Sequence, residues 1–216
     1  MNRKLLWALL LLAAAGAMMV GLSWMGVGST SKALSPAQQA VLARDYAPSL
    51  GAPGAKVTLV EFLDPACEAC AQFYPVVKDL LAKSDGRLRL VVRYAPFHKG
   101  SAEAVLALEA ARLQGKYWPA LEALLRTQNE WTLNHQVQSE RLWPVLEGVG
   151  VNVVQARADA QSPKLQAQME QDLVDGKDLE VFRTPSFFVN DRALTEFGYD
   201  NLVALIAEQT QKAYPP

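Results

Sequence analysis

The chain has 216 residues, with 21 lysines and arginines against 22 aspartates and glutamates and no long run of either sign, a balance that offers no basic face to nucleic acid. Half of its residues are hydrophobic and only two are cysteine, which excludes a disulfide-dense miniature scaffold. Beyond an apolar N-terminal stretch, the remaining ~185 residues suit one domain with a helical elaboration.

In chain order, Arg3 and Lys4 precede an uncharged run from Leu5 to Val27. As a helix it would span roughly 30–35 Å, enough for a bilayer core. Residues 1–4 are therefore expected in the cytoplasm and residues 5–27 in the inner membrane as a single-pass signal anchor, by the positive-inside tendency. Ala15-Gly16-Ala17 keeps a second possibility open, a cleaved signal peptide that leaves a soluble periplasmic protein. Either route exports the rest of the chain. Residues 28–50 are expected to form a polar stalk, GSTSKALS, and a short helix, PAQQAVLARDY, with Ser35 as cap and Pro36 in its first turn.

After the turn-rich SLGAPGA, Val57 to Leu63 predicts a central strand buried on both faces. Cys70, Phe73, Tyr74, Val77, Leu80 and Leu81 then recur at three- and four-residue steps, predicting a helix from Cys67 to Lys83 that Pro75 should bend. Leu88 to Tyr94 predicts a second strand, completing a right-handed parallel βαβ unit. A helical stretch follows, with Ser101 as its first cap and Gly115 as a break; it carries Trp118, Trp131 and Trp143, read as packing residues. Strands return at Ser186 to Asn190 and at Ala193-Leu194, and a last helix is expected from about Asp200 to Lys212.

Both cysteines lie in Asp64-Pro-Ala-Cys-Glu-Ala-Cys70. A structural staple closing so short a loop gains only about 2 kcal/mol, which a domain of this size does not need. Structural zinc wants four ligands, and His98 and His135 are the only histidines; Cu(I) can use two thiolates and stays open. A redox pair accounts for more of the surroundings. Cys67 falls where strand meets helix, so free backbone N–H groups and the helix dipole favour its thiolate, and Cys70, one turn on, is placed to resolve a mixed disulfide.

Three motifs in order, VTLVEFLDPACEAC, RYAPFHKGSAEAVLALEAARLQGKYW and RTPSFFVNDRAL, resemble the DsbA-like thiol:disulfide oxidoreductases of the thioredoxin superfamily, over roughly residues 50 to 210. The resemblance implies an α/β thioredoxin fold over 51–214 with an inserted helical subdomain at about 98–178, preceded by the transmembrane helix. It implies a cis Pro185 facing the cysteines and, with Thr184, pairing with substrate backbone, and Glu61 as a buried acid that exchanges a proton with Cys70. His98 falls in the family's loop after the second strand and is expected as a surface histidine. The redox-active Cys67–Cys70 disulfide would carry the electrons, with no organic cofactor and no metal. The implied partners are exported cysteine-containing proteins and a membrane protein that recycles the pair. The expected function is an exported, monomeric thiol:disulfide oxidoreductase acting as an oxidase, with a reductase or isomerase, or a Cu(I)-binding or chaperone protein, as alternatives. The chain departs from the best-known oxidases between the cysteines, where Glu68-Ala69 replaces Pro-His. A carboxylate beside Cys67 is expected to raise its pKa and to place the potential at roughly −150 to −230 mV.

Overall fold

The structure, a computed structural model, describes residues 30–216. The expected anchor at 5–27 lies outside the described residues, and among these no helix is long and apolar enough to cross a membrane.

The sheet is built around β3 (Val57–Leu63) and β4 (Leu88–Tyr94), which pair in parallel with Glu61 opposite Val92. Both strands are almost wholly buried, as continuous apolar runs in a covered parallel pair should be. Between them runs α2 (Glu68–Ala82), whose buried stripe is Cys70, Tyr74 and Val77. Pro75 sits inside this helix, where it cannot donate to the Ala71 carbonyl. On the other side of β3 lies β7 (Ser186–Val189), antiparallel, with Phe187 opposite Glu61. β8 (Arg192–Leu194) follows it through a turn in which Asn190 has a positive φ, and α9 (Tyr199–Ala213) closes the fold.

The segment expected as a stalk is partly sheet. β1 (Ser31–Ala33) pairs antiparallel with β8, and β2 (Ser49–Gly51), read from sequence as turn, pairs antiparallel with β4. The sheet order is therefore β1-β8-β7-β3-β4-β2. The intervening helix α1 (Pro36–Leu42) carries the expected Ser35 cap, which Gln38 completes as a reciprocal capping box, but it stops at Leu42 because Ala43 is extended.

The insertion comprises α3 (Ser101–Leu113), α4 (Tyr117–Arg126), α5 (Gln128–Trp131), α6 (Ser139–Glu147), α7 (Val153–Asp159) and α8 (Pro163–Asp178). Trp131 and Trp143 are buried and bonded through their indole N–H groups to the Leu124 carbonyl and Glu103, and Trp118 packs edge-on against Tyr117. A short hairpin, β5 (Thr132–Leu133) and β6 (Gln136–Val137), was not legible in sequence; its turn is Asn134-His135, both with positive φ.

Arg93 ties these parts together. Fully buried, it donates to Asp172 and Asp175 of α8 and to the carbonyls of Val41 and Leu42, while Arg44 forks onto Asp175 and Tyr46 donates to Asp172. A buried cation needs such partners, since an unpaired one costs several kcal/mol.

Candidate functional site

The turn between β3 and α2 is held from several directions. Asp64, fully buried, accepts through Oδ1 from the Ala66 N–H (2.9 Å) and the Ser101 hydroxyl, and through Oδ2 from the His98 N–H (2.9 Å) and the His98 ring Nδ1 (2.7 Å). The Cys67 N–H closes the turn onto the Asp64 carbonyl at 3.0 Å. Ser101 is consequently the first residue of α3 with Gly100 as its cap, because its hydroxyl is turned to Asp64. His98, expected on the surface, is bound into the same cluster with its side chain only 28% exposed.

Gln128 at the start of α5 reaches across from the insertion. Its side-chain amide donates to the carbonyls of Pro65 (2.7 Å) and Cys67 (3.0 Å) and is buried. Leucine at 128 would leave the Pro65 carbonyl without that donor, whereas the Cys67 carbonyl keeps the Ala71 N–H. Gln128→Leu is expected to cost about 1–2 kcal/mol in urea unfolding, and an unchanged midpoint would show that the turn stands without the insertion.

Cys67 caps α2 and Cys70 lies in its first turn; both are free thiols, 7% and 0% exposed. Cys67 Sγ lies 3.3 Å from the Thr184 carbonyl, to which it donates when it is a thiol, and the Thr184–Pro185 bond is cis. The Cys67 pKa falls to about 5: a hydrogen bond from the Cys70 thiol is the main cause, and the Thr184 side chain and the backbone N–H groups of Cys70 and Ala69 add to it against burial. Burial, the Cys67 sulfur and Glu61 hold Cys70 well above the usual thiol range. The pair is therefore split into one thiolate and one thiol.

The Cys67 pKa is lowered, against the expectation that Glu68 raises it. The Glu68 carboxylate is 67% exposed and stands 3.6 Å from His135 Nδ1 on the hairpin, so water screens it, and the hydrogen bonds at the sulfur prevail. Ala69 contributes its backbone N–H. Glu61 is fully buried, and burial, with the Cys67 sulfur second, pushes its pKa up to about 8.

With this geometry in place, comparison with known proteins is decisive at the level of family. Residues 44–208 match the model of the family described as Thioredoxin. The chain belongs to the thioredoxin family. The DsbA-like resemblance of its motifs extends to its fold, which superposes on a thioredoxin-like oxidoreductase from Silicibacter pomeroyi with a TM-score of 0.69 at 30% identity, covering 79% of this chain and 95% of that one. Disulfide bond formation protein D of Bacillus subtilis is 27% identical over 75% of this chain and 76% of its own length. The Na(+)/H(+) antiporter NhaA of Herminiimonas arsenicoxydans is 35% identical over 67% of this chain but only 22% of that protein, so the chain spans about a fifth of the length of such relatives.

Of the residues expected at the site, Cys67, Cys70, Thr184, Pro185 and Glu61 converge on one end of the sheet. Asp64 and Gln128 were missed. Asp64 lies in the cysteine stretch, but its partners His98 and Ser101 come from beyond β4, and nothing near Gln128 in sequence signals its role.

Proposed function

We propose that this chain is a thiol:disulfide oxidoreductase that oxidises exported cysteine-containing proteins, acting in the periplasm from a membrane segment at residues 5–27. The observation that carries this reading is the split pair, a Cys67 thiolate held at about 5 by the Cys70 thiol, the Thr184 side chain and the backbone N–H groups of Cys70 and Ala69, beside a Cys70 held as a thiol. In the disulfide state a client thiolate attacks Cys67 Sγ; the Cys67–Cys70 bond breaks, and Cys70 leaves as a thiolate and takes a proton from Glu61. A second client thiolate attacks the client sulfur of the mixed disulfide, and Cys67 leaves as the stabilised thiolate. The client gains a disulfide, the pair holds two electrons, and a membrane redox partner reoxidises it. A stabilised leaving thiolate favours this direction over reduction. The uncharged run after Arg3 and Lys4 supports the location.

An apolar groove of about 330 Å³, lined by Phe97, Leu173, Val181 and Phe182, the last of which stands two residues before Thr184 in the chain, suits apolar side chains of an unfolded client; Phe182 is 77% exposed.

The test is to express full-length Cys70→Ala in a bacterium with its native envelope and to separate Cys67-linked complexes without reductant. Mixed disulfides with assorted exported proteins are expected, with a membrane protein among them. No adducts, together with one-to-one Cu(I) binding by the unaltered chain, would replace the enzyme by a metal-binding protein.

A further inference from the structure

Two buried polar groups at this site have no hydrogen-bond partner among the described residues: both carboxyl oxygens of Glu61, and the hydroxyl of Tyr74. They share one layer. Glu61 shares one face of β3 with Leu59 and Leu63, two residues to either side, and that face packs against Cys70, Tyr74 and Val77 of α2. Tyr74 stands one turn, ~6 Å, beyond Cys70 on that stripe. Buried groups of this kind in a native fold are met by ordered water.

Tyr74 also borders solvent. With Pro75, Lys78 and Glu122 it lines a groove of about 370 Å³ between α2 and α4, where Lys78 pairs with Glu122 at 3.6 Å. The phenol feels both the exposed Glu122 and the buried Glu61. The other phenol within reach of Glu61 is Tyr117 on α4; its hydroxyl is already bonded to Tyr94, which donates to Glu109, itself paired with Arg112. The titratable and charged groups facing this space are thus Cys67, Cys70, Tyr74 and Lys78 from α2, Glu61 from β3, and Tyr117, Glu122 and Arg126 from α4.

We propose that Tyr74 is the outlet for the proton that Glu61 exchanges with Cys70, a bridging water linking the Glu61 carboxyl to the Tyr74 hydroxyl and the hydroxyl relaying the proton to the groove at Lys78 and Glu122. The inference rests on the exchange reading above and deepens it. When Cys70 attacks Cys67 Sγ in a mixed disulfide, its proton passes to the Glu61 carboxylate, the Cys67–Cys70 bond forms, and the departing thiolate carries off the electron pair; Tyr74 then returns Glu61 to its base form. In the opposite direction the same path reloads Glu61.

The test mixes the reduced full chain with oxidised glutathione, quenches with acid, and follows by mass the conversion of the Cys67–glutathione adduct to the internal disulfide from pH 6 to 9. Tyr74→Phe is expected to slow that conversion about tenfold and to flatten its rise with pH, while unfolding at no lower temperature, since the hydroxyl has no protein bond to lose. Solvent deuterium is expected to slow the same step in the unaltered chain. Tyr74→Phe matching the unaltered rate at every pH overturns the proposal, as does an absent isotope effect. Equal slowing by Tyr117→Phe overturns it in favour of the Tyr117–Tyr94–Glu109 chain. If the unaltered chain forms no glutathione adduct, the exchange reading itself falls.

Discussion

Replacing Glu61 with glutamine will stabilise the folded protein by about 3 kcal/mol at pH 7 and slow proton-coupled exchange about a hundredfold. The two effects share one cause. An acid whose folded pKa is about 8 against 4.5 when exposed keeps its proton in the native state at a pH where the unfolded chain has lost it. The native state then binds more protons than the unfolded one, and stability falls as pH rises from about 4.5 to about 8. Glutamine removes that dependence while keeping the side chain's size and neutrality. The gain should therefore vanish below pH 4.5 and be largest near pH 8. Urea unfolding at several pH values reads the first effect and rapid-quench exchange with glutathione the second. A variant that is slower and no more stable would mean that Glu61 is not held protonated by burial, and the assignment of proton transfer to it would lose its physical basis.

The second expected result compares the two redox forms. Between pH 5 and pH 7 the dithiol form should gain about 2–3 kcal/mol of stability relative to the disulfide form. Cys67 titrates at about 5 in the folded dithiol against an ordinary value of 9.0. Its depressed pKa contributes stability that is complete above the unfolded value and is lost as pH falls through the folded one. The disulfide form has no thiol to titrate, and the entropy its short loop removes from the unfolded chain, about 2 kcal/mol, does not depend on pH. The slope with pH, and not the absolute gap, is thus diagnostic. Parallel stability curves for the two forms would show that Cys67 is not a stabilised thiolate, and the oxidase direction would lose its main support.

Much of this site was legible in the sequence because its signals are local. A buried strand, a two-residue cysteine spacing and the start of a helix follow one another within Val57 to Cys70, and the placement of Cys67 at the helix N-terminus follows from that succession alone. The edge strands Ser31–Ala33 and Ser49–Gly51 were not legible, since three residues show no alternation and their pairing is with β8 and β4. The hairpin at Thr132–Val137 was hidden for the same reason. Glu68 shows the limit most directly. Adjacency in sequence pointed to repulsion, but the carboxylate turns to water and to His135 from the insertion.

What the sequence determined by itself was the order of the principal strands and helices and the candidate cysteine pair, because periodicity and spacing act over a few residues, while the family showed in the resemblance of three motifs. The tertiary structure decided the electrostatics of the pair. Whether a thiol or carboxyl keeps its proton depends on what surrounds it in space, and Thr184, Gln128, Ser101 and His98 reach the Asp64–Cys70 turn from distant parts of the chain.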